Sequence, residues 1–223
     1  MSVQVKICGL TSREAVEATL KAGAAFGGLV FFPASPRHLG LDPARGLAAL
    51  LRGRARIVTL MVDPADSQVN EVVATIAPDL IQLHGKETPA RVAEIAGLAK
   101  RPIIKAIPVA DSADVARAHA YEDVADFILF DAKADAAATR PGGLGAAFDW
   151  QLLAGRSFRR PWGLAGGLTP ENVGRAVRIA GPYFVDASSG VEDAPGRKSP
   201  EKIANFVVAA RNAQYTDQKA NAV

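Results

Sequence analysis

The chain has 223 residues, 49% of them hydrophobic and 22% charged, which is ordinary for a globular protein with one large core. The formal charge of +3 comes with only 6% aromatic residues and scattered lysines and arginines, so a nucleic-acid partner is not expected. One cysteine cannot form an internal disulfide, and no apolar run approaches the ~20 residues that span a bilayer, so neither an oxidising compartment nor a membrane is expected.

The first predicted strand is Val3–Cys8, closed by Gly9, and the helix-period stretch Ser12–Ala22 follows it. No basic-then-apolar leader signature precedes them, so the cytoplasm is the default location. Phe26–Phe32 leads through Pro33 and Ser35-Pro36-Arg37 into a helix at Pro43–Arg52, with Asp42 as its expected cap. Further strands are predicted at Arg56–Val62, Leu80–Leu83, Pro102–Ile107, Asp126–Phe130, Pro161–Ala165 and Tyr183–Ala187. Helical stretches Ala65–Ile76, Pro89–Ala96, Ser112–Ala120, Trp150–Leu153 and Pro170–Ile179 separate them, and Pro200–Arg211 comes last. Thr88-Pro89, Thr169-Pro170 and Ser199-Pro200 each put a capping hydroxyl before a proline at the first helical position.

None of the strands alternates cleanly between polar and apolar, which is the pattern of parallel strands covered on both faces. The count of strand–helix pairs matches an α/β, single-domain (β/α)8 barrel (a TIM barrel) over residues 1–211, with 212–223 as a polar, frayed tail. An open doubly wound sheet is the alternative, though it normally shows fewer units in this length.

In such a barrel, chemistry gathers where strands end and the following loops begin. Those exits carry Cys8-Gly9, Ser35-Pro36-Arg37, Val62-Asp63, His84-Gly85, Pro108, Asp131, Gly166-Gly167 and Ser188-Ser189-Gly190. The two glycine turns after strands seven and eight can offer backbone amides to an anion, and side by side they form a phosphate cup. Either turn alone is equally well read as a tight bend. Cys8 and Asp131 end strands that are not neighbours in a closed ring, so they face each other across its mouth. Sugar isomerisation needs such opposed groups, one taking a carbon-bound proton and one protonating an oxygen. Only the thiolate is a competent base, so the thiol pKa is expected to be lowered, with Lys6 two residues earlier as a source of positive potential. Taken alone, Asp131 reads as a helix cap or a partner for Lys133. Arg37 has the fork to hold a planar carboxylate. His84 is either a donor to the ligand or a satisfied histidine at a strand end. Three histidines, one cysteine and no close acidic cluster point to no metal site, and Gly142-Gly143-Leu144-Gly145 lacks the lysine and hydroxyl of a P-loop.

Taken in order, several segments resemble the phosphoribosylanthranilate isomerase family of tryptophan biosynthesis. They are Val5-Lys6-Ile7-Cys8-Gly9-Leu10-Thr11, Leu29-Val30-Phe31-Phe32 with Ser35-Pro36-Arg37, Gln82-Leu83-His84-Gly85, Phe148-Asp149-Trp150, Leu164-Ala165-Gly166-Gly167-Leu168 and Val185-Asp186-Ala187-Ser188-Ser189-Gly190-Val191-Glu192. The resemblance spans nearly the whole chain. It implies a cofactor-free Amadori rearrangement of a small phosphoribosyl substrate by a monomer or homodimer. It also implies Cys8 as general base, Asp131 as general acid, Arg37 at the anthranilate carboxylate, phosphate amides at Gly166, Gly167, Ser188 and Ser189, and Asp186 as a further site carboxylate. Gly142 and Gly143 fall in the family's glycine-rich loop, where Leu144 replaces a hydroxyl residue. Asp63 and Ala187 also depart from the usual asparagine and valine. Other readings are a phosphosugar isomerase with two aspartates, which the thiol argues against, and a catalytically silent barrel, which only Leu144 supports.

Overall fold

Strands that are apolar on both faces must be covered on both, and a closed ring with helices outside achieves this. The computed structural model describes residues 2–133 and 148–220, with 214–220 as backbone alone. Its strands are β1 (Gln4–Cys8), β2 (Phe26–Phe31), β3 (Arg56–Met61), β4 (Leu80–Leu83), β5 (Ile103–Val109), β6 (Phe127–Ala132), β7 (Trp162–Leu164) and β8 (Phe184–Ala187). They form a closed parallel barrel in chain order. In β1, Lys6 is paired with Phe26 of β2 on one side and with Asp186 of β8 on the other, so no edge is left open. The helices are α1 (Arg13–Ala22), α2 (Leu41–Leu51), α3 (Asp66–Ile76), α4 (Pro89–Ala99), α5 (Ser112–Ala116), α6 (Val173–Ala180) and α7 (Pro200–Ala220). After β8 the chain makes a small antiparallel hairpin, β9 (Glu192–Ala194) with β10 (Arg197–Lys198).

Outward-facing strand residues such as Ile7, Leu29, Ile57 and Ile81 form one core with the helices. Inside the ring, Phe26, Val58, Leu80, Ile104, Leu129 and Phe184 form a second, apolar plug. Further along, toward the strands' C-terminal ends, the interior turns polar with Lys6, Gln82 and Asp186, all buried. Among the described residues no helix is long and apolar enough to cross a membrane.

Several helix boundaries differ from expectation, each for a local reason. Asp42 does not cap α2: the helix begins at Leu41 behind Gly40, because a proline in the first turn lacks only an N–H that has no helical acceptor anyway. Thr169-Pro170 does not open α6. Instead Asn172 Oδ1 accepts from Thr169 N at 2.8 Å and its amide donates to Gly167 O at 2.9 Å, so these side-chain bonds hold a turn and the helix starts at Val173. Thr88 does cap α4, its hydroxyl accepting from Arg91 N at 3.2 Å. The helical stretch from Ser112 tightens into a 3-10 turn at Arg117–Tyr121. The last helix runs past Arg211 to Ala220, so the boundary expected between 211 and 212 falls inside α7. Buried Ala210 and Ala213 carry its packing face across that point, and alanine favours the helix.

Candidate active site

At the strands' C-terminal ends the barrel opens into a pocket that is continuous with solvent. Every expected site residue within the described chain lines it: Cys8, Arg37, His84, Asp131, Gly166, Gly167, Asp186, Ser188 and Ser189. Gly142, Gly143 and the neighbouring Leu144 lie outside the described residues.

Cys8 ends β1 and is 4% exposed. Beneath it, fully buried Lys6 donates to Asp186 Oδ2 at 2.8 Å. Burial opposes charge on Lys6, yet Asp186 and Cys8 outweigh it and hold the ammonium above the usual lysine range. For Cys8 the balance falls the other way. Burial pushes the thiol up, Lys6 pulls it partly back, Asp186 adds to the rise, and Lys198 lowers it again. The expected lowering of the thiol is therefore reversed. Lys6 is close enough to act, but its charge is already matched by Asp186, so the thiolate is stripped of water without an uncompensated cation beside it.

Asp131 ends β6 on a different wall of the pocket. Its Oδ2 is 2.9 Å from His84 Nε2, and its Oδ1 accepts from Ala132 N at 2.9 Å. Lys133 pairs with Asp114 rather than with Asp131, so of the two structural roles suggested for Asp131 in the sequence, that of partner to Lys133 is filled by another residue. Gln82, on the same strand face as His84, approaches the other ring nitrogen at 2.9 Å.

Glycine is required where the two late turns meet. Gly166 has φ of +83°, and a side chain there would also strike the backbone of Ala132. A side chain at Gly190 would collide with the carbonyl of Leu168, so the turns after β7 and β8 pack directly against each other. The amides of Gly166 and Gly167 find no acceptor among the described residues. Ser188 is tied in place, donating to Cys8 O at 3.1 Å and receiving Lys198 Nζ on its carbonyl at 3.0 Å.

Arg37 is buried at the pocket rim, and one side of its fork is already engaged. Nε and one terminal nitrogen donate to the two oxygens of Glu192 at 2.7 and 2.8 Å. Three of the five guanidinium N–H groups remain, both on Nη1 and one on Nη2, so the end-on edge of the fork is still open to a carboxylate. Glu192 also accepts from Lys198 at 2.7 Å. Burial alone would raise the Glu192 carboxyl, but Arg37 and Lys198 hold it below the usual carboxylate range. Next to Arg37 the wall is apolar: Val30, Phe32, Leu60 and Val62 line the pocket close to Cys8. Gln82, Glu192, Lys198 and this apolar wall were not singled out from the sequence. Only the alternation of Val30 with Phe32, and of Leu60 with Val62, on inward strand positions could have signalled the wall. Among the described residues no group of three or more His, Cys, Asp or Glu is arranged to hold a metal ion.

A (β/α)8 barrel with a thiol, a carboxyl and two glycine turns around one pocket at the strands' C-terminal ends is the architecture of a small-molecule barrel enzyme. The family model for N-(5'-phosphoribosyl)anthranilate isomerase matches residues 5–209. A protein of that name from Rhodopseudomonas palustris (strain BisA53) is 53% identical over 211 residues, covering 95% of this chain and 97% of its own. One from Bradyrhizobium diazoefficiens is 51% identical over 219 residues, covering 98% of each. The crystal structure of the Thermotoga maritima phosphoribosyl anthranilate isomerase superposes with a TM-score of 0.85 at 34% identity, covering 94% of this chain and 99% of its own. A further isomerase structure, in complex with reduced 1-(o-carboxyphenylamino)-1-deoxyribulose 5-phosphate, gives 0.81 at 32% identity, covering 94% and 99%. The chain belongs to the N-(5'-phosphoribosyl)anthranilate isomerase family.

Proposed function

We propose that this chain converts N-(5′-phosphoribosyl)anthranilate to 1-(2-carboxyphenylamino)-1-deoxyribulose 5-phosphate in tryptophan biosynthesis, with Asp131 as general acid and Cys8 as general base. The observation that carries the roles is that a thiol and a carboxyl from non-adjacent strands line one pocket together with the glycine turns after β7 and β8. The phosphate occupies the amides of Gly166 and Gly167 with the Ser188-Ser189 turn, where Lys198 adds positive charge behind Ser188. The aromatic ring lies on the Val30–Phe32 and Leu60–Val62 wall, its carboxylate toward the open Nη1–Nη2 edge of Arg37.

With both ends held, the ribose spans the space between Cys8 and Asp131. Asp131 gives its proton to the furanose oxygen, the C1′–O bond breaks, and the anthranilate nitrogen supplies the electrons for a C1′=N iminium. The Cys8 thiolate then takes the C2′ proton and the iminium collapses to an enolamine. Adding a proton at C1′ and removing one from the 2′-oxygen completes the ketone, with no net oxidation and no proton consumed. Asp186 holds Lys6 under the thiolate throughout. A cytoplasmic enzyme acting as a monomer or homodimer is part of the same proposal, and light scattering on the purified chain distinguishes the two states.

The test is to incubate the pure protein with the anthranilate ribotide and follow the loss of substrate fluorescence. Turnover is expected in the wild type, and Cys8→Ser is expected to lose roughly 10²–10⁴-fold in kcat. Tight binding without turnover would overturn the isomerase reading. Near-normal turnover by the serine variant would remove the thiolate from the mechanism.

A further inference from the structure

Both nitrogens of the His84 ring are taken by protein groups. Gln82 Nε2 stands 2.9 Å from Nδ1, and Asp131 Oδ2 stands 2.9 Å from Nε2. With the Gln82 amide oriented so that its nitrogen faces the ring, Nδ1 accepts, and the hydrogen of a neutral imidazole falls on Nε2 and points at the carboxylate. Gln82 is fully buried on β4, and its Oε1 has no partner among the described residues. Among the described residues, the bond to the His84 ring is thus the one that this buried side-chain amide makes. A buried polar group is rarely left half satisfied without a task for its other half.

We infer that Gln82 and His84 are positioning residues for the general acid, and that His84 does not serve as a donor to the substrate. The inference rests on Asp131 being the acid. When the Asp131 proton passes to the furanose oxygen, the electron pair of the C1′–O bond stays on that oxygen and Asp131 is left as a carboxylate. The Nε2–H then meets an anion where it had met a neutral acid, and a hydrogen bond to a charged acceptor is about twice as strong. The imidazole therefore favours the charge that develops during the transfer over the starting state, which is the condition for lowering a barrier. It neither gains nor loses a proton. Ala132 N on Oδ1 fixes the other side of the carboxyl, so its plane is set from both oxygens. Gln82 acts one step further out, keeping the ring hydrogen on the nitrogen that faces Asp131.

Kinetics and NMR together test this. Wild-type turnover, and its loss in Asp131→Asn, establish the parent reading independently. His84→Ala is expected to lower kcat roughly 10²-fold while KM stays within about twofold, and binding of the reduced product analogue is expected to persist, which shows that the variant is folded. His84→Gln, which can return an N–H to the same place, is expected to recover at least tenfold of that loss. In wild-type protein labelled with 15N-histidine, the hydrogen is expected on Nε2, and Gln82→Leu is expected to shift the ring toward a mixture of tautomers. If His84→Ala raised KM at least tenfold with kcat unchanged, His84 would be a substrate contact and the inference would fail. Finding the wild-type hydrogen on Nδ1 would overturn it as well.

Discussion

At the scale of single residues, the site is decided by how each charge is paired. Cys8 shows it most directly. Its thiol is held up by burial, and the nearby Lys6 is compensated by Asp186. A raised thiol pKa means that the thiolate is a minority species at neutral pH, and its fraction grows about tenfold per unit as pH rises toward that pKa. For the free enzyme, kcat/KM is therefore expected to keep climbing above the ordinary thiol range of about 8.5, and to lose this limb in Cys8→Ser. A plateau already reached at pH 7 would show that bound groups or Lys198 outweigh burial. The presence of Cys8, Asp131 and the late glycines at strand exits could be read from the chain, because their positions follow from the period of the elements. The pairing of Arg37 with Glu192, 155 residues away, could not. One side of a fork free in sequence is engaged in space, and no local pattern records its partner.

At the scale of elements, the strand ends depend on anchors outside the barrel's mouth. The loop after β4, which carries His84, is clamped by Lys105 of β5. Its ammonium donates to Gly85 O at 2.9 Å and to Glu87 Oε2 at 2.7 Å, and Glu87 in turn accepts from Gly85 N at 3.0 Å and Asp63 N at 2.8 Å. Burial pulls the Lys105 ammonium below the usual lysine range, with Glu87 resisting. Lys105→Met leaves the buried Glu87 carboxyl without its cation, so a stability loss of about 3–5 kcal/mol is expected in urea unfolding. A loss under 1 kcal/mol would mean that the loop is held by its backbone alone. The strand and helix sequence was legible because the strands are short, mostly apolar segments without clean polar alternation, set between helix-period stretches. Helix starts were legible where a hydroxyl caps, as at Thr88, and illegible where a glycine does, as at Gly40. An Asn172 side chain that bonds its own turn looks, in sequence, no different from one in a helix.

At the scale of the whole molecule, the pocket exists only because the ring closes. β1 and β8 are joined by backbone pairing and by the buried Lys6–Asp186 bond, and this brings Cys8 beside Ser188. A ligand that grips both the late turns and the Arg37 wall binds only the closed form, so it stabilises the fold by mass action. The reduced product analogue at 100 times its Kd is expected to add about 2.7 kcal/mol, a rise of roughly 5–10 °C in Tm for a chain of this size. Gly166→Val, which blocks the anion cup, is expected to abolish the rise, and an equal rise in that variant would place the phosphate elsewhere. The sequence by itself determined the alternation of elements, the barrel, and which residue types stand at its rim, because hydrophobic period and turn chemistry are local. Only the tertiary structure decided which of those groups are paired, which are free, and which way burial moves the thiol, since these depend on neighbours from distant strands and on the water that their packing removes.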